Sequence, residues 1–159
     1  MYKQACEDLG YDFDKTVLSL VKAGNNGANF FNQYFSAVYN LIVDPSFWRD
    51  CSAEIIKQGY LKKETLSEVL SYFNRKDLIK KEKSILERIQ MEILDYIDFK
   101  GKGKPPKKLE DINSPFISKE LKKINVRYEI KGNKIRLTSP GPDRKFGTND
   151  DIVVEFMYK

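Results

Sequence analysis

Arg127-Tyr-Glu-Ile-Lys-Gly-Asn-Lys-Ile-Arg-Leu-Thr138 decides the fold of the C-terminal third of this chain. Val126, Tyr128 and Ile130 alternate with Arg127 and Glu129, and Ile135 and Leu137 alternate with Lys134, Arg136 and Thr138. A period of two puts the apolar side chains on one face of an extended chain, so each run is a half-buried strand. Gly132-Asn133 between them is a tight-turn pair, which makes the two strands antiparallel neighbours. Further on, Ile152 to Tyr158 supplies a third strand.

Working backwards, Ser114-Pro115 opens a short helix through Leu121, with Ser114 as its cap and Pro115 in its first turn. Before that, Gly101, Gly103, Pro105 and Pro106 break any regular element. The same segment carries Lys100, Lys102, Lys104, Lys107 and Lys108. It reads as a linker held extended and soluble by its own charge. A phosphate-binding stripe for nucleic acid is the other reading.

The first hundred residues read as helices. Asp14 caps a helix carrying Val17, Leu18, Leu20 and Val21, which stops at Gly24-Asn25-Asn26-Gly27. An aromatic-rich helix follows with Phe30, Phe31, Tyr34, Phe35, Val38 and Tyr39. Asp44-Pro45-Ser46 starts the next, with Phe47, Trp48, Cys51, Ile55 and Ile56 on its inner face and Gly59 as its C-terminal cap. A short helix holds Leu66, Val69, Leu70, Tyr72 and Phe73. A longer one runs from about 76 to 99, with Ile85, Leu86, Ile89, Ile93, Leu94 and Ile97 at three- and four-residue steps.

The expected fold class is therefore α+β: an N-terminal helical bundle of four or five helices, then a small three-stranded antiparallel sheet packed on a long helix. The expected parts are a helical region 1–99, whose last helix is the spine for the sheet, a basic Gly/Pro linker 100–108, and a β domain 109–159.

Composition narrows the chemistry. The 159 residues are 41% hydrophobic and 32% charged, with ten Phe, nine Tyr and one Trp, enough to build a core. Formal net charge is +5 with both signs interspersed, so most of it belongs to solvated helix surface. The absence of histidine removes imidazole catalysis and most zinc and copper sites. Cys6 and Cys51 permit one disulfide without requiring it. Asp12 and Asp14 read as helix-start carboxylates, and Lys83 with Glu87 and Arg88 with Glu92 as helix-surface pairs. No serine or cysteine has an identifiable base and no nucleotide-binding glycine turn is present, so the expectation is a protein that is not an enzyme. No run of residues is apolar enough to span a membrane and no signal peptide is visible; any anchoring segment lies outside these residues.

One loop remains, Ser139 to Asp151, between the second and third strands. It is longer than a hairpin turn needs, and its Pro140-Gly141-Pro142 start is rigid. Asp143, Asp150 and Asp151 are its carboxylates, while Gly141 and Gly147 allow carbonyls to turn inward. Carboxylates crowded together repel unless a cation lies among them. Calcium accepts six to eight oxygens, backbone carbonyls included, in irregular geometry. A Gly/Pro/Asp turn with solvated carboxylates is the plainer alternative.

Leu137-Thr-Ser-Pro-Gly-Pro-Asp-Arg-Lys-Phe-Gly-Thr-Asn-Asp-Asp-Ile152 also closely resembles the calcium loop of the major pseudopilins of type II secretion systems. The pattern there is Ser-x-Gly-x-Asp-Gly-x-x-Gly-Thr-x-Asp-Asp-Ile. Pro105-Pro-Lys-Lys-Leu-Glu-Asp111 and Arg127 to Lys134 resemble that family's Pro-x-x-Leu-x-x-Leu segment and first hairpin. The resemblance covers about a third of the chain. It implies Ca2+ as cofactor, side-chain ligands at Asp143, Asp150 and Asp151, and backbone oxygens near Pro140, Lys145 and Thr148. It also implies a structural or assembly subunit outside the cytoplasm, with filament or secretion-system proteins as partners. Two departures stand out: Arg144 replaces the usual Gly after the first Asp, and Lys123-Ile-Asn-Val126 replaces an Asp-Pro-Trp-Gly segment. A protein-binding module whose calcium loop is only structural is the second functional reading. A nucleic-acid binder using Lys100 to Lys108 is the third.

Overall fold

The computed structural model describes residues 2–8, 10–23 and 43–158. The aromatic-rich helix expected over Phe30 to Tyr39 and the Gly24–Gly27 breaker lie outside the described residues. Two compact units divide the chain, Met1–Asn74 and Arg75–Lys159.

The first unit holds helices α1 (Tyr2–Asp8), α2 (Phe13–Ala23) and α3 (Pro45–Lys57), together with the start of α4 (Lys63–Phe99). Val17, Val21, Trp48, Ile55, Leu61, Leu66, Val69 and Phe73 form its core. The α3 helix begins as its sequence dictates: Pro45 occupies the first turn, and the Asp44 carboxylate accepts the Ser46 N–H at 2.8 Å. It ends at Gly59, whose φ of 67° is left-handed, with the Tyr60 N–H returning to the Ile55 carbonyl at 3.0 Å. The capping of α2 differs from expectation. Asp12, not Asp14, accepts the Lys15 N–H there, at 3.1 Å. Asp14 is buried and reaches forward to the start of α4, accepting the Lys62 N–H at 3.0 Å and the Thr65 hydroxyl at 2.6 Å. It anchors the start of a helix almost fifty residues downstream. Cys6 and Cys51 are both free thiols.

The two helices expected over Leu66–Phe73 and 76–99 are one continuous element, α4. Asn74, Arg75 and Lys76 interrupt the apolar period but include neither Gly nor Pro, so nothing in the backbone stops the helix there. Residues after Asn74 belong to the second unit.

That second unit is α+β. After α4 come a 3-10 turn at Leu109–Ile112 and helix α5 (Pro115–Glu120), whose Ser114 cap accepts the Ile117 N–H at 3.3 Å. Strands β1 (Arg127–Lys131), β2 (Lys134–Ser139) and β3 (Ile152–Met157) form an antiparallel sheet in the order β1-β2-β3. Register pairs Tyr128 with Leu137 and Leu137 with Val154, so one row of apolar side chains crosses the sheet. Gly132, at φ 61°, starts the two-residue turn between β1 and β2. Ile135, Leu137, Ile152 and Val154 meet Leu86, Ile89, Ile93 and Ile97 of α4 in one buried cluster, the sheet lying on the long helix.

The basic segment 100–108 is folded into this unit rather than strung between units. The Gly101 and Gly103 amides close the end of α4 on the carbonyls of Tyr96 and Ile97, at 2.6 and 3.0 Å. Pro106 is buried, and its carbonyl accepts the Tyr128 hydroxyl at 2.9 Å.

Candidate metal-binding loop

Every turn of the 139–151 loop has a local cause. Ser139 ends β2 fully buried, and Pro140 is buried beside it. Gly141, at φ 61°, starts a 3-10 turn through Asp143. A Cβ added at Gly141 would stand 2.1 Å from the Asp150 carbonyl oxygen, so glycine is what lets the two ends of the loop touch. Arg144 follows in the left-handed region at φ 59°. That position thus has a backbone conformation that glycine adopts most readily. Phe146 folds back under the Arg127 guanidinium of β1, 4.2 Å from its ring centroid.

The sequence-derived ligand residues sit as follows. Asp143 is exposed and accepts the Lys145 N–H at 2.9 Å. That amide, aided by the Thr148 hydroxyl and the positive charges of Lys145 and Arg75, holds its carboxyl below the usual carboxylate range. Asp150 keeps only 13% of its side chain exposed and pairs through Oδ1 with the Arg75 guanidinium. Asp151 accepts the Gly147 N–H at 2.8 Å through Oδ2. Its other oxygen, Oδ1, is buried and has no hydrogen-bond partner, alone in this among the buried side-chain polar atoms of the described residues. The Lys145 carbonyl accepts the Thr148 hydroxyl at 3.3 Å, and the Thr148 carbonyl accepts the Asp151 N–H at 3.3 Å. Among the described residues, no three acidic, cysteine or histidine side chains converge as a metal-holding group.

Two residues that sequence reasoning passed over complete the picture. Glu82, on α4, is a buried carboxylate. Its Oε2 accepts the Ser139 hydroxyl and its Oε1 accepts Arg144 Nη1 at 2.7 Å. The Gly141 N–H approaches the Ser139 hydroxyl oxygen at 3.4 Å. The start of the loop is therefore tied to the helix through one buried acid. The signal was present in the sequence: Glu82 lies four residues before Leu86, on the same stripe as Ile89, Ile93 and Ile97. Arg75 is the second. Nothing local marks it, because its partner lies 75 residues away.

No known protein family, curated protein or solved structure matches this chain.

The chemistry follows from these contacts. A buried carboxylate oxygen left unpaired is costly, by roughly 1–3 kcal/mol for an unsatisfied polar group and more for a charged one. The Lys145 and Thr148 carbonyls, already drawn into tight turns, are further hard oxygens of the same loop. An oxygen-rich, histidine-free loop of this kind suits a hard divalent cation and not a thiophilic metal.

Proposed function

We propose that this chain is a calcium-binding structural or assembly subunit with no catalytic role, similar in its C-terminal loop to the major pseudopilins of type II secretion. The observation that carries the reading is the unpartnered, buried Oδ1 of Asp151 at the close of the 139–151 loop. A cation ligated there would give that buried oxygen the partner it lacks. Asp143 and Asp150 would add carboxylate oxygens, and the backbone near Pro140, Lys145 and Thr148 would add carbonyls. Calcium supplies charge neutralisation and cross-linking of the loop; it need supply no reaction chemistry.

The role of the ion is mechanical on this reading. The loop joins β2 to β3 and is anchored to α4 through Glu82, so fixing it fixes one end of the sheet against the helix. A rigid surface of this kind suits subunit contacts in an assembly. Extracellular calcium is abundant enough to keep even a weak site filled, which fits an extracytoplasmic location. Protein partners, such as filament or secretion-system subunits, follow from the same resemblance.

Isothermal titration of the full chain with CaCl2, and separately with MgCl2, tests the reading. One calcium site that is lost in Asp151→Asn, with weaker magnesium binding, is the expected result. No uptake of calcium at millimolar concentration would refute it.

A further inference from the structure

We infer that Arg75 is the loop's internal counter-ion, which a divalent cation must displace from Asp150, so that Arg75 sets how much calcium the loop requires. The inference rests on the calcium reading above and adds its regulation. Among the described residues, two guanidinium groups form ion pairs at this loop, and their surroundings differ. Arg144 pairs with Glu82, whose side chain is only 1% exposed and also accepts the Ser139 hydroxyl. Breaking that pair strands a charge in the core. Arg75 meets Asp150 from the solvent side, with 55% of its own side chain exposed against 13% for Asp150. Its long stem can swing into water without opening the core.

Charge counting gives the direction. Asp143, Asp150, Asp151 and Glu82 count four negative charges against the positive charges of Arg75, Arg144 and Lys145, which pair with or act on three of them, so the group has a net of one negative charge. Without Arg75 it carries two, and calcium affinity follows ligand charge. The positive charge of Arg75 is also felt at Asp143, so it acts on two of the three aspartates. In the absence of metal, the same pair neutralises the least exposed ion-paired end of the loop and holds it closed.

The test compares the full chain with Arg75→Gln and Arg75→Lys by calcium titration calorimetry, and by melting in chelator. Arg75→Gln should bind calcium roughly five- to tenfold more tightly, the size of a modest coupling between two sites. In chelator it should melt below the wild type, and Arg75→Lys should fall between the two. Unchanged or weaker binding by Arg75→Gln, beside a wild type that does bind, would overturn the inference and leave the calcium reading standing. Weaker binding would make Arg75 an orienting partner of the ligand instead. Silence of all three proteins toward calcium would end both.

Discussion

Glu82, buried on the sheet-facing stripe of α4, accepts the hydroxyl hydrogen of Ser139 at the end of β2. A single acid thus joins the helix to the strand from which the loop departs, and Arg144 closes the same acid from the loop side. Removing one member of a buried ion pair leaves the other uncompensated. Glu82→Ala should therefore destabilise the protein by about 3 kcal/mol, with part of the usual effect screened because Arg144 is half exposed. Ser139→Ala should cost about 1–2 kcal/mol through the lost hydrogen bond. Urea unfolding checks both, and a Glu82/Arg144 double-mutant cycle should return a coupling of about 1 kcal/mol.

Gly141 and Gly147 separate strain from collision. Both have positive φ, but only Gly141 has backbone where a Cβ would go. Gly147→Ala should cost about 1 kcal/mol, the left-handed penalty alone. Gly141→Ala adds displacement of the Asp150 carbonyl and should exceed 2 kcal/mol. Equal losses in parallel melts would contradict the close approach of the loop ends.

Much of the second unit was legible in the sequence, and the reasons are local. Tyr128, Ile130, Ile135 and Leu137 alternate across a Gly132-Asn133 turn, and the register of β1 with β2 follows from that pattern and turn. Ser114-Pro115 is a helix start that needs no tertiary information. The boundary near Asn74 was misread because a polar stretch in an amphipathic pattern looks like a break when it is only a helix face changing its surroundings. Asp14 looked like the cap of its own helix, since sequence reasoning sees the nearest helix start and not one folded back against it. The three aspartates were expected to crowd together. Each instead has its own partner (Lys145 N–H, Arg75, Gly147 N–H), and only Asp151 Oδ1 is left wanting. Glu82 and Arg75 were invisible as partners because both act over more than fifty residues of chain.

Alkaline pH should expose the role of Tyr128. Burial, with the neighbouring Tyr158 and Asp111, pushes its phenol up to about 12 from 10. The unfolded chain then releases its proton first as pH rises, so the stabilising contribution is whole below pH 10 and is lost progressively toward 12. Tyr128→Phe should flatten this dependence while lowering stability at neutral pH by about 1 kcal/mol for the lost bond to the Pro106 carbonyl. Denaturant midpoints between pH 8 and 12 check both effects, and an unchanged slope in the variant would contradict the assignment.

The reach of Asp14 can be tested in the first unit. Asp14→Ala should cost about 1–2 kcal/mol, as for a lost N-cap, and should raise amide exchange at Lys62, whose N–H it accepts. Asp12→Ala should cost less and leave the exchange at Lys62 unaltered, because its contact is confined to the start of α2.

Thermal melting of the full chain in saturating calcium and in chelator, beside Asp151→Asn, tests the account most directly. Saturation at 100 to 1,000 times the dissociation constant should stabilise the wild type by about 2–4 kcal/mol. The variant, its carboxylate replaced by a neutral amide, should melt at the same temperature in both solutions. A wild-type midpoint that calcium does not move would contradict the proposal that the closing aspartate of this loop awaits a cation.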